Sequence, residues 1–300
     1  MPKFNNKLGM SALISHPEKK SIDEQMQIFA AVGFDSFFLS CGVTYEFDEI
    51  PYWAACARGA GIDFEAVHAP HDLVDAVWLG TEASHQYQGT MMRIIDLCAE
   101  GGVEKLVLHT GNDPKIAPNE RGLSVFRTLE DYATSRGVTL CYENANTPAL
   151  FEAVVSSASA PHGFCHDIGH QLCYTRDKNY ISPSFLSGAS EIGNGASGDK
   201  IKGAAVKSGG TNDKIGANNA RNLLYTHIHD NLGDGRDLHL LPGDGIQDWR
   251  AYFDRLSSIG YRGTLNLELS CYHRPDYCQM TFEGFAKAAH KRLTNMIYDN

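Results

Sequence analysis

No stretch of this 300-residue chain approaches the roughly 20 apolar residues that a bilayer-spanning helix needs, and Met1 to Met10 contains no apolar leader segment. A soluble, cytoplasmic protein with no membrane partner is expected. Positive charge is scarce too: 26 Lys and Arg against 36 Asp and Glu give a net charge of -10, and the basic residues nowhere run together. An acidic chain without a basic stripe is poorly suited to a polyphosphate backbone, so no nucleic-acid partner is expected. The eight cysteines form no CxxC pair. Cys98, Cys141 and Cys165 lie inside apolar segments, where a reduced thiol acts as a small hydrophobe. There is also no glycine-rich phosphate cradle, which favours a substrate without a phosphate group.

Short apolar runs, by contrast, are plentiful. Eight of them read as strands near Leu8 to Leu13, Ser36 to Ser40, Asp63 to His68, Lys105 to His109, Thr139 to Glu143, Gly163 to Asp167, Leu223 to His229 and Thr264 to Glu268. Amphipathic stretches between them predict helices over Ile22 to Val32, Ile50 to Ala60, Ser84 to Glu100, Leu123 to Arg136 and Trp249 to Ile259, with Ser21 and Asp248 as N-caps. Glycines 33, 61, 137 and 260 close several of these just before the next strand. Eight strand–helix repeats in 300 residues point to an α/β fold, a (β/α)8 TIM barrel forming a single domain over residues 1–300. Residues 180–222, rich in Gly, Ser and Asn, interrupt the rhythm. They read as an insertion on the C-terminal face, either a loose excursion or a lid over the barrel mouth.

The strand ends carry the chemistry. Glu143 follows VTLCY, Asp167 follows HGFCH, His227 follows NLLYT and Glu268 follows GTLNL. In a parallel barrel these side chains converge at one mouth and form a mixed oxygen and nitrogen site for a divalent cation. His68, His109 and His170 also sit at or just past strand ends. His227 and His229 are two apart and face the same way along an extended strand. Asp237 and His239 offer a further carboxylate and imidazole, ahead of a turn at Pro242 to Gly245 that leads to the helix capped by Asp248. Trp53, Trp78, Phe38 and Tyr142 are candidates to stack on the C–H surfaces of a small-molecule substrate, although core positions suit them better.

Together HAP at 68–70, His109, YEN at 142–144, HDIGH at 166–170, HIHDN at 227–231, DLHLLPGDG at 237–245 and LELS at 267–270 resemble the xylose isomerase-like TIM barrels. That superfamily includes sugar isomerases and epimerases, inositol-pathway enzymes and endonuclease IV. Resemblance to the ketose 3-epimerases implies metal ligands at Glu143, Asp167, His227 and Glu268, with the two glutamates doubling as the acid/base pair and His170 contacting substrate. His68 and His109 are further substrate-binding candidates, and His229, Asp237 and His239 additional metal candidates. Resemblance to endonuclease IV implies a trinuclear zinc pattern on His68, His109, Glu143, Asp167, His170, His227, Asp237, His239 and Glu268.

The expected function is a divalent-metal-dependent (Mn, Mg, Co or Zn) isomerase or epimerase of a sugar, sugar phosphate or polyol. Its first step is proton abstraction beside a carbonyl, leading to an enediolate. A metal-dependent dehydratase or lyase on a polyol or keto acid shares that step. An endonuclease IV-like phosphodiesterase matches the ligand pattern but sits poorly with the acidic charge. Exposed barrel helices suggest a homo-oligomer, with a homodimer the simplest form.

Overall fold

The computed structural model describes residues 5–40, 47–158, 162–175 and 223–298. The 180–222 insertion, and with it the lid idea, lies outside the described residues. Strands β1 (Leu8–Ser11), β2 (Ser36–Ser40), β3 (Asp63–His68), β4 (Lys105–Leu108), β5 (Thr139–Glu143), β6 (Gly163–Asp167), β7 (Leu223–Ile228) and β8 (Leu265–Leu267) pair in chain order. Every pairing is parallel, and β8 returns to β1 through Leu8 opposite Leu265 to close the barrel. The expected (β/α)8 barrel is the observed fold. Strands β1, β4, β7 and β8 stop one or two residues short of their predicted C-terminal ends. The residues just past β4, β7 and β8, His109, His229 and Glu268, serve the mouth, whereas Ala12 and Leu13 past β1 belong to the buried apolar layer.

Helices α1 (Ile22–Val32), α2 (Ile50–Ala60), α3 (Asp75–Leu79), α4 (Ala83–Gly101), α5 (Glu120–Ser135), α6 (Pro148–Ser157), α7 (Trp249–Ser258) and α8 (Phe282–Tyr298) pack outside the strands. The first two have the bounds that the periodicity predicts. Gly33 (φ 110°) and Gly61 (φ 72°) end them in the left-handed region, which a side chain would penalise. Asp248 caps α7 by accepting the Ala251 N–H.

The apolar faces of strands and helices merge into one large buried layer, while Phe38, Ala66, Val107, Cys141, Cys165 and Tyr225 form a second cluster. Trp53, Trp78 and Tyr142 belong to the large layer and Phe38 to the second cluster. Burial therefore removes all four from the list of sugar-stacking candidates. The seven cysteines among the described residues are all unpaired, and burial pushes the Cys141 thiol up to about 12. No helix among the described residues is long and apolar enough to cross a membrane.

Candidate active site

Parallel register brings the strand ends together. Glu143 lies beside Cys165 on β6, Asp167 beside His227 on β7, and Glu268 follows the end of β8, its N–H bonded to Ile228 O. One donor atom each from Glu143, Asp167, His227 and Glu268 lies within 4.8 Å of the others, in a buried group. Two further groups adjoin it, His68 with His109 and Glu143, and His170 with His229, Asp237 and His239. All ten site residues predicted from sequence thus meet at one mouth.

Hydrogen-bond chemistry tests whether these donors suit a cation. His68 Nδ1 lies 2.8 Å from Ala69 O, His170 Nδ1 3.0 Å from Asn144 O, and His239 Nδ1 3.0 Å from Glu268 O. A carbonyl only accepts, so each Nδ1 carries a proton and each Nε2 presents a lone pair unless a second proton is bound. Those Nε2 atoms point at carboxylate oxygens: His68 at Glu143 Oε2 (2.8 Å), and His170 and His239 at Asp237 Oδ2 (3.1 and 2.9 Å). Lone pairs facing an anion need a positive charge between them, and a divalent cation fits that donor set.

Protons can play the same part at His227, His239 and His170. Burial disfavours charge on His227, but Glu268 and Glu143 outweigh it and lift the imidazole to about 9. Asp237 likewise overcomes burial at His239, which rises to about 10, while Asp167 and Asp237 hold His170 well above the usual imidazole range. Burial raises Glu143, yet the His227 charge and bonds from His109, His227 and His68 hold it well below the carboxylate range. Glu268 and Asp167 are also lowered against their burial, Glu268 by His227 and His239, Asp167 by His170 and His229.

The two glutamates differ. Glu143 is wholly buried, with Oε2 shared by His68 and His109 and Oε1 2.7 Å from His227 Nδ1. Glu268 lines an open pocket of about 430 Å³ with His68, His71, His109, His170, Asp237 and His239. The remaining lining comes from Ser40, Gly111, Asn112, Ala145, Asn146 and Tyr174, so no lysine or arginine among the described residues contributes.

Sequence reasoning missed several of these residues. His71 stacks on His109 with ring centroids 4.7 Å apart, and burial together with His109 lowers it to about 4. Its signal was a second histidine just past HAP. Asn144 clamps Asp167 by pairing its amide with the Asp167 peptide, 2.8 Å in each direction. Asp230 shapes the loop after β7, accepting the N–H groups of Asn231, Gly243 and Gln247 and the Trp249 indole.

A closed parallel barrel with an imidazole and carboxylate mouth defines the class of protein. The family model described as xylose isomerase-like TIM barrel matches residues 26–290, so this chain belongs to that family. It is 28% identical over 226 residues to the uncharacterized protein y4fM of Sinorhizobium fredii, an alignment covering 67% of this chain and 61% of that protein. The chain thus spans about three fifths of that relative's length. Among solved structures it is similar to a D-tagatose 3-epimerase-like protein (TM-score 0.66, 19% identity, covering 97% of this chain and 98% of the other). It is also similar to the IolI protein with a bound zinc atom (TM-score 0.66, 16% identity, 97% and 98% coverage). At these identities the likeness is one of fold.

Proposed function

We propose that this protein is a divalent-metal-dependent isomerase or epimerase of a sugar or polyol. The observation that carries the reading is the buried group Glu143, Asp167, His227 and Glu268, whose Glu268 lines a pocket of about 430 Å³, a size that suits a small polyol. Its solved fold neighbours include a D-tagatose 3-epimerase-like protein and a zinc-bound IolI protein, which support the choice. A bound cation would polarise the substrate carbonyl. Glu268, facing the pocket, takes the proton from the adjacent carbon, and Glu143 is its partner in returning one. His170, His109 and His71 line the walls within reach of substrate hydroxyls. Asparagines 112 and 146 add neutral donors and acceptors, as an uncharged polyol requires.

Solvent-deuterium exchange tests this directly. Ketoses and keto-polyols incubated in D2O with Mn, Mg, Co or Zn should gain deuterium beside the carbonyl, with the label lost in Glu268→Gln. Conversion without deuterium uptake would indicate hydride transfer and contradict the reading.

One observation favours a second reading. Glu143 belongs to three donor groups, and His170, His229, Asp237 and His239 form another beside them, an arrangement able to hold more than one ion, as a multinuclear phosphodiesterase needs. Incision of an abasic-site duplex in zinc, absent in Glu143→Gln, would favour it.

A further inference from the structure

His229 falls in a donor group, but its hydrogen bonds differ from those of its neighbours. We propose that it is a positioning residue that holds the Asp167 carboxylate for the ion without ligating the ion itself. The proposal rests on the metal-dependent reading above.

The ring is wholly buried. Its Nε2 lies 3.0 Å from each Asp167 oxygen, and its Nδ1 lies 3.4 Å from Asn231 Nδ2. The Asn231 amide is oriented by the Leu238 N–H, which bonds its Oδ1 at 2.5 Å, so Nδ2 faces His229 as a donor. Nδ1 therefore accepts and Nε2 carries the proton, donated to Asp167. In His170 and His239 Nδ1 keeps its proton on a backbone carbonyl, so Nε2 is the nitrogen that an ion would take in place of a proton. In His229 the proton occupies the nitrogen nearest the acidic floor.

The ring is also clamped. A Cβ on Gly169 would lie 1.9 Å from His229 Cε1, so this glycine is needed for close approach of its backbone to the imidazole. On the same ring His239 stacks, with centroids 4.0 Å apart and planes 14° from parallel. Asp167 is fixed in turn: the His170 N–H bonds Oδ1 at 2.6 Å, and the Asn144 amide pairs with the Asp167 peptide. Oδ1 thus takes both the His170 N–H and the His229 donor, while Oδ2 shares only the His229 donor and lies 3.8 Å from His227 Nδ1, on the side of the metal group. A donor locked by packing and shared by both oxygens fixes the orientation of the carboxylate, and the His170 N–H on Oδ1 leaves Oδ2 the less encumbered oxygen for the cation.

Cobalt titration of the metal-stripped full chain tests this, read by stoichiometry, Kd and the visible Co(II) band. His229→Leu should weaken the tightest site by about 10–100-fold, shift the band, and leave the number of ions per chain unchanged. His229→Gln, which keeps an N–H donor, should recover most of the affinity. Gly169→Ala, which displaces the ring, should weaken binding in the same direction and carries the test if His229→Leu does not fold. Loss of one ion per chain in the His229 variants would make it a ligand and overturn the proposal. An unchanged Kd and band with normal wild-type binding would reduce it to packing and also overturn it. A wild type that takes up no cobalt would remove the metal-dependent reading and this proposal together.

Discussion

Glu143 and Glu268 stand at comparable strand ends in unlike surroundings, and this separates what their substitution should do. Glu268 faces the pocket, so Glu268→Gln should cut turnover by about 10²–10⁴-fold while the fold and most metal binding survive. Glu143 has both oxygens taken by imidazoles, so Glu143→Gln should lose metal affinity and turnover together. Steady-state rates at saturating metal check both, and a near-normal rate in either variant would contradict the assignment. His170→Ala should leave the ion of the Glu143 group bound and raise KM. Metal analysis of that variant showing loss of this ion would make His170 part of its shell. His239 alone among the described non-glycine residues has a positive φ, 47°. This is strain of the kind that surrounding contacts must hold in place, and it accompanies the ring's bonds to Glu268 O and Asp237.

Among the elements, the loop between β7 and α7 does most to complete the mouth. It is tied back by a two-residue bridge between Asp230 and Leu240 and by the four N–H groups that the buried Asp230 carboxylate accepts. Gly245 passes so close that a Cβ there would lie 2.2 Å from Asp230 Oδ1. Asp230→Ala leaves several of those donors unsatisfied, at about 1–3 kcal/mol each. It should destabilise the protein by several kcal/mol and release Asp237 and His239 from the mouth. Chemical denaturation and metal titration of the variant would show both, and unchanged stability would deny Asp230 this role.

The strands and the polar residues ending them were legible because period-2 runs and their termini are local signals. His71, Asn144 and Asp230 were not legible as site residues. Each acts through partners that only closure of the barrel supplies, as when Asn144 meets Asp167 across two strand ends. The five-residue α3 is too short for a helical period. For Phe38 and Tyr142 the core is the better-suited place by sequence, but stacking stays open because a sequence does not reveal which face of a barrel strand is covered.

At the scale of the whole molecule, the ion-free centre is held by protons. Because the folded-state values of His227 (about 9) and His239 (about 10) lie above the ordinary imidazole value, their stabilisation is complete below about pH 6.5 and is lost as pH rises through 9 and 10. The lowered carboxylates Glu143, Asp167, Asp237 and Glu268 act oppositely, stabilising above their ordinary range and failing in acid. The melting temperature of the metal-stripped protein should therefore fall between pH 7 and 10. Metal must displace the imidazole protons, so its affinity and the melting-temperature gain it gives should rise over the same interval. A gain that shrinks with pH would mean that these imidazoles do not ligate. The net charge of -10 predicts weak duplex binding at physiological salt, which a fluorescence-anisotropy titration can check.

Metal content of the purified chain, counted ion by ion, bears most directly on the central claim. The account predicts at least one tightly held divalent ion per chain in the wild type, and loss of that ion in a Glu143→Ala, Asp167→Ala double variant that remains folded. A wild-type chain that retains no divalent ion after equilibration with Mn, Co or Zn, or a double variant that keeps its full complement, would contradict it.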